Sequence, residues 1–296
     1  MAAQTAPESR SFLQRAVRFL AEEARVDQFL DIGAGLPTAG STHEIAQRRV
    51  PHARVLYVDN DPALGRRARA LLAGPPPRRP RHGDIPFSRP RPGDPPPSSI
   101  HLGDTPPGSA PTGDTLPGSA PTGDTLPGSA PTGDTRFGDA PLSAGPLSAG
   151  AGGRIRFIEA DLRDPASILT HPQFKETVDL SRPVALILIA VLHLIPDQDR
   201  SREIVHELLA ALPSGSYLAA TSLTLDFGAA DTLEPITGPR SPVRPRTRDE
   251  FAEFFTGLGL IGPGIVPVSE WLPEVPAHQR PPADQVATYG ALGRKP

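Results

Sequence analysis

The chain has no cysteine in 296 residues. That excludes disulfides, thiolate metal sites, iron–sulfur clusters and a cysteine nucleophile. Lysine is nearly missing too: Lys175 and Lys295 stand alone, and every other basic side chain is arginine. There is no excess of positive charge. The formal net charge of -3 argues against a general affinity for nucleic acid or an anionic membrane. Long apolar runs are also lacking. The longest, Val184 to Ile195, is broken by His193. At that length it reads as a buried strand rather than a membrane span. Met1 to Arg10 is polar and carries no apolar segment of the secretory type. These absences predict a soluble, cytoplasmic protein of one ordinary domain or two small ones. Oligomeric state is left open.

Proline and glycine are abundant, and they concentrate in one place. The decapeptide Gly103-Asp104-Thr105-Pro106-Pro107-Gly108-Ser109-Ala110-Pro111-Thr112 recurs from Gly113, from Gly123 and, degenerating, from Gly133. A Pro- and Arg-rich stretch precedes it, and Leu-Ser-Ala-Gly follows twice, from Leu142 and Leu147. Residues 74–153 hold too few bulky apolar side chains to offset the entropy of ordering them. They read as a disordered insertion of polyproline II character. Its role is either a docking segment for a proline-binding module or a repeat tolerated in a surface loop. The domain then consists of residues 1–73 and 154–296.

Those two parts alternate helix and strand. Phe12, Leu13, Ala16, Val17, Leu20 and Ala24 share one helical face. Gln28 to Ile32 is a short strand, and Ser41 with Glu44 forms a capping box for a second helix. Val55 to Val58 is the next strand, with Asp61 as N-cap and Pro62 at the first helical position. That helix turns Leu64, Ala68, Leu71 and Leu72 inward. Ile155 to Glu159 is a third strand, and Asp164-Pro165 opens a short helix. Val184 to Val191 is apolar on both faces, as a central parallel strand is. Asp197 caps a helix with Ile204, Val205, Leu208, Leu209 and Leu212 aligned, ended by Pro213 and Gly215. Tyr217 to Thr221 is the fifth strand. Thr247 and Glu250 cap a helix running through Phe251, Phe254 and Phe255. Gly262 to Trp271 and Val286 to Leu292 suit a closing antiparallel pair. This succession predicts a doubly wound, mostly parallel α/β sheet. The insertion falls in a helix-to-strand connection, at the edge opposite the ligand crevice.

Three segments converge on that crevice. In Phe29-Leu30-Asp31-Ile32-Gly33-Ala34-Gly35-Leu36-Pro37, a strand feeds a Gly-x-Gly turn where a ligand can approach the backbone closely. The next glycine is Gly40, so the dinucleotide pattern is not met, which argues against NAD and FAD. Asp59, closing the second strand in Tyr57-Val58-Asp59-Asn60-Asp61-Pro62, can accept both hydroxyls of a ribose. Asp161, just past the third strand, can accept a hydrogen bond from an adenine amino group. Asp61 and Asp164 are accounted for as caps.

Taken together and in order, Phe29 to Gly40, Val55 to Pro62, Phe157 to Pro165, Arg182 to Asp197 and the closing Tyr289 to Pro296 resemble a bacterial S-adenosylmethionine-dependent methyltransferase family common in actinobacteria. The resemblance spans most of the chain outside the insertion. It implies a class I fold with a seven-stranded sheet and S-adenosyl-L-methionine as cofactor. It also implies Gly33 and Gly35 beside the methionine part, Asp59 on the ribose and Asp161 near the adenine. Asp31, Asn60 and Leu162, in the same motifs, complete the candidate cofactor set. Two departures stand out. Family members usually have a further N-terminal segment and a longer helical stretch where this chain has Asp226 to Arg246, with Pro235, Pro239, Pro242 and Pro245.

Methyl transfer from a sulfonium needs alignment above all, and a base only where the acceptor must lose a proton. His193, at the end of the fourth strand, is the candidate base. His43 is expected on an exposed helix face. No His, Asp or Glu grouping has metal-ligand spacing, and no Gly-x-Ser-x-Gly elbow is present. The leading expectation is a methyltransferase acting on a small-molecule acceptor. The alternative is a non-catalytic protein that binds S-adenosylmethionine.

Overall fold

The computed structural model describes residues 5–35, 40–72, 153–228 and 243–296. The repeat insertion lies outside them, as do Leu36, Pro37, Pro235, Pro239 and Pro242. Helix α1 (Thr5–Glu22) leads into β1 (Gln28–Ile32), α2 (Thr42–Arg49), β2 (Arg54–Asp59) and α3 (Pro62–Leu72). After the insertion come β3 (Arg154–Glu159), α4 (Pro165–Thr170), α5 (Pro172–Thr177), β4 (Ala185–Leu188), α6 (Gln198–Ala211) and β5 (Tyr217–Leu223). The chain closes with α7 (Arg248–Ala252), β6 (Gly259–Pro267), α8 (Ala283–Val286) and β7 (Thr288–Arg294).

The seven strands form one sheet in the order β3-β2-β1-β4-β5-β7-β6. The first five neighbours run parallel, and β7 lies antiparallel between β5 and β6. The chain winds outward from β1 to β3, then returns to β4 on the other side of β1. That reversal opens a crevice at the carboxyl ends of β1 and β4. Side chains alternate across the sheet with the strand period of two. Leu30, Ile32, Leu56 and Val58 pack in one buried cluster with α6 residues Ile204, Val205 and Leu208. Phe29, Val55 and Tyr57 pack in a second cluster with α1 residues Phe12, Ala16, Val17 and Leu20. Asp31 is registered beside Tyr57 and so belongs to the face that α1 and α2 cover.

Most caps are local chemistry and form as expected. Asp164 accepts from Ser167 N–H, and Asp197 from Arg200 N–H. Thr247 and Glu250 make a full capping box, although the helix tightens to a 3-10 turn at Glu253–Phe255. The box expected at α2 does not form. The Ser41 side chain makes no cap bond, and Glu44 instead accepts from the Gly40 N–H, tying the glycine turn to the helix. Strand β4 is also shorter than its apolar run. It stops at Leu188, and Ala190 turns the chain with φ 57°. The rest of the run is apolar because it walls the crevice, not because it is sheet.

Helix α3 ends at Leu72, and β3 starts with Arg154 paired to Arg54 at the amino end of β2. The insertion therefore joins the sheet at the end away from the crevice. Among the described residues, no helix is long and apolar enough to cross a membrane.

Candidate functional site

The cradle begins where β1 ends. Gly33 adopts φ +74°, and a Cβ there would sit 2.7 Å from Val191 Cγ2, so a side chain would collide with the wall opposite. Gly35 has φ +64° with open space around its missing side chain. Its N–H donates 2.9 Å to Asp59 Oδ2, while the Asp61 N–H donates 3.0 Å to Asp59 Oδ1. The Asp59 carboxylate is thereby fixed at the tip of β2 by two backbone donors. Each oxygen keeps a further lone pair for the crevice.

Two chambers meet at Gly33 and Ala190. The first, about 240 Å³, has Asp31, Thr42 and Tyr57 in its lining, Ala34 and Ile189 beside them, and α1 above. The second, about 280 Å³, is lined by Asp59, Asn60, Asp161, Leu162 and Arg163, with Val191, Leu194 and Ile195 opposite. Six of the candidate cofactor residues thus face one continuous crevice, and Gly35 touches it through Asp59. Ala190 stands at the junction in a left-handed conformation that a non-glycine residue rarely adopts. Its N–H is held by Thr221 Oγ1 at 2.8 Å. Its residue type carries no sign of that role.

Asp31 is 5% exposed, and one carboxylate oxygen accepts from Thr42 Oγ1 at 2.6 Å. Burial pushes its pKa up to about 7 and the nearby Asp59 charge adds to this, against the pull of the Thr42 hydrogen bond. A cation placed beside it would reverse that shift. Next to it, the Tyr57 hydroxyl accepts from the His43 N–H at 3.0 Å and lies 2.7 Å from His43 Nδ1. With its lone pairs meeting the amide, the phenol donates to Nδ1, which places the imidazole proton on Nε2. His43 is therefore buried and structural, not on an exposed face, and burial lowers its pKa.

At the far end, Arg163 grips both Asp161 oxygens, with Nη2 at 2.6 Å from Oδ2, and Asn60 Nδ2 donates to Oδ2 at 3.3 Å. The Arg163 hydrogen bond first, with further donors from Arg163 N–H and Asn60, holds Asp161 down to about 2. It stays an acceptor at any working pH.

His193 lies on a 3-10 turn (Leu192–Leu194), half-buried, and is among the lining residues of neither chamber. Burial, reinforced by Arg246, lowers its pKa to about 4. Arg246 is 1% exposed. It donates to the Leu192 and Ile195 carbonyls at 2.8 and 2.7 Å, to Gln198 Oε1 at 2.6 Å and to Ser201 Oγ at 3.0 Å. It also sits 5.3 Å above the Phe254 ring. This buried cation fastens the turn that walls the second chamber.

A profile of the S-adenosyl methyltransferase family matches residues 1–85 and 142–296. The chain belongs to the S-adenosyl methyltransferase family. The match takes in every described part of the methyltransferase and leaves out most of the repeat insertion. The methyltransferase is similar to the crystal structure of a DUF574 family protein from Streptomyces avermitilis, with 33% identity and a TM-score of 0.69. That similarity covers 98% of this chain and 83% of the other. It is also similar to a candidate methyltransferase from Thermobifida fusca, at 30% identity and a TM-score of 0.66, covering 98% and 81% of the two chains. A comparison with curated proteins gives no match.

The cofactor of the methyltransferase is S-adenosyl-L-methionine. The crevice fits it: a carboxylate fixed at a strand tip, an open glycine cradle and a buried acid awaiting a cation lie in one line. What the sequence reading missed is the roof of the first chamber. Ala6, Ser9, Arg10 and Leu13 line it from α1. Their spacing is one helical stripe, a signal that reads equally well as core.

Proposed function

We propose that this methyltransferase acts on a small-molecule acceptor, with the adenosine of its cofactor in the second chamber and the methionine end in the first. The observation that supports a small acceptor is the roof. Helix α1 covers the chamber beside Asp31, so an acceptor reaches the junction at Gly33 and Ala190 only through a confined opening. In this reading Asp59 takes the ribose hydroxyls, and Asp161 with Leu162 and Asn60 takes the adenine. Gly33 and Gly35 give the cofactor backbone clearance. Asp31 faces the ammonium of the methionine end. Bound S-adenosylmethionine supplies an electrophilic methyl group. The protein's own residues hold the cofactor in one pose, exclude water and leave the methyl exposed to the acceptor, which is where alignment lowers the barrier. The test is transfer of labelled methyl from the cofactor in a bacterial extract. Label in the low-molecular-weight fraction supports this reading, whereas label in acid-precipitable protein or nucleic acid refutes it. No transfer to any fraction, with binding intact, favours the non-catalytic alternative.

A pH dependence follows from Asp31. The carboxyl is neutral below about 7 in the free protein. An ammonium beside it favours the charged form, so binding releases a proton. Affinity for S-adenosylhomocysteine should therefore rise with pH up to about 7, by at most tenfold per unit, and flatten above it. Calorimetry in buffers of different ionisation enthalpy reads the released proton. A flat profile would remove Asp31 from the cofactor site.

His193 is assigned as the base for acceptors that must lose a proton. Its pKa of about 4 keeps the imidazole neutral throughout an assay near neutrality. His193→Ala should then lower kcat by roughly a hundredfold, the lower range for a positioned base, with cofactor affinity unchanged. Unchanged kcat would end the assignment.

The insertion is assigned as a passive surface loop dividing the domain into residues 1–73 and 154–296. Joining these two parts directly should leave the thermal midpoint and cofactor affinity as in the full chain, because both anchors lie away from the crevice. Loss of a cooperative melting transition would refute this.

A further inference from the structure

The methionine end of the cofactor carries two charges, and Asp31 answers only one of them. Resting on the cofactor placement proposed above, a carboxylate must also enter the first chamber. A charge brought into a partly closed space needs an opposite charge or several donors around it. Among the described residues lining that chamber, Arg10 is the sole cation. It projects from α1, two turns before the buried Val17 anchors the helix to the sheet. Ser9, its neighbour, is 4% exposed and lines the same space. Across the chamber stands Asp31, the buried carboxylate. One wall thus presents an acid and the roof presents a guanidinium, the pattern that matches a zwitterionic amino acid.

We propose that Arg10 binds the carboxylate of the methionine end and so clamps helix α1 over the cofactor. The guanidinium fork suits a carboxylate, since two parallel N–H donors meet two oxygens. The clamp has a structural consequence. The cofactor becomes a bridge between the sheet, through Asp31, and the amino-terminal turns of α1, through Arg10. Occupancy then ties down a helix whose first turns lie over a cavity instead of the core.

The test uses ligands cut back one group at a time. S-adenosylhomocysteine carries both charges, its decarboxylated analogue keeps only the amine, and 5′-methylthioadenosine has neither. Each is titrated by calorimetry into the full-length wild type, Arg10→Gln and Arg10→Lys. Arg10→Gln should weaken S-adenosylhomocysteine by roughly ten- to a hundredfold, the loss of a charge-assisted hydrogen-bonded pair. The same variant should bind the decarboxylated analogue and methylthioadenosine as the wild type does, and Arg10→Lys should recover part of the loss. Amide exchange over Ala6 to Leu13 should slow with S-adenosylhomocysteine and not with methylthioadenosine. Equal weakening for all three ligands would make Arg10 a structural residue and overturn the clamp. So would unchanged binding of S-adenosylhomocysteine. If the wild type binds none of the three, the cofactor placement itself fails, which is a different result from a failure at Arg10.

Discussion

Asp59→Ala should abolish measurable binding of S-adenosylhomocysteine, raising Kd by more than about a hundredfold. The reasoning starts from the lone pairs. Each Asp59 oxygen already accepts one backbone N–H, from Gly35 and from Asp61. The remaining capacity faces the crevice, where two ribose hydroxyls would meet a charged acceptor at roughly 1.5–3 kcal/mol each. The substitution removes both and also frees the glycine turn, whose N–H loses its anchor. Two losses of that size give a factor of several hundred or more. Asp59→Asn separates the contributions. It keeps one carbonyl oxygen for one backbone donor and loses the charge, so it should bind more weakly than wild type and more tightly than the alanine variant. Circular dichroism should show both variants folded, because Asp59 is only half-buried at a strand tip. Alanine-variant affinity within about threefold of wild type would show that the ribose lies elsewhere, since a single hydrogen bond to a charged group is worth more than that.

Those residues were readable because they sit where local rules act. A Gly-x-Gly after a strand, an acid at the tip of the next strand and an acid past the third need only the strand boundaries to be placed. The fold follows the same rule. The period-two alternation of Phe29, Leu30 and Ile32 assigns faces, and the caps at Asp164, Asp197 and Thr247 form between residues three apart or fewer. What the sequence hid depends on contacts across the chain. Ala190 is turned by Thr221, thirty-one positions away, and nothing in alanine announces a positive φ. His43 looked like an exposed helix residue until Tyr57 closed over it from β2. Ser41 and Glu44 have the spacing of a capping box, yet Gly40 offers a nearer donor and takes the glutamate. Ile189 to Ile195 is apolar enough to be strand, but it serves the crevice wall.

Arg246 is the second position where a large effect is expected, and its loss should strike stability first. Arg246→Leu should destabilise the protein by about 3–5 kcal/mol, the range found when a buried charged group loses its partners or leaves them unpaired. Its pKa, lowered to about 10 mainly by burial, still leaves the side chain charged at neutral pH. No carboxylate hydrogen-bonds it among the described residues. Its charge is spread over two carbonyls, the Gln198 amide oxygen and the Ser201 hydroxyl. A leucine fills much of the volume and keeps contact with Phe254, so the cost comes from acceptors left dry rather than from a cavity. Arg246→Lys should recover only part, because one ammonium cannot reach acceptors spread over a planar fork. Urea unfolding reads the change directly as a shift in midpoint at constant slope. The second consequence is local. The freed Leu192 and Ile195 carbonyls flank Leu194, and with Val191 and Ile195 it walls the second chamber. Affinity for S-adenosylhomocysteine and for methylthioadenosine should fall together, because both carry the adenosine that this wall contacts. That is the opposite signature from Arg10→Gln, where only the ligand with a carboxylate is affected. A loss of stability with both affinities intact would mean that Arg246 holds the core and leaves the crevice wall to other contacts.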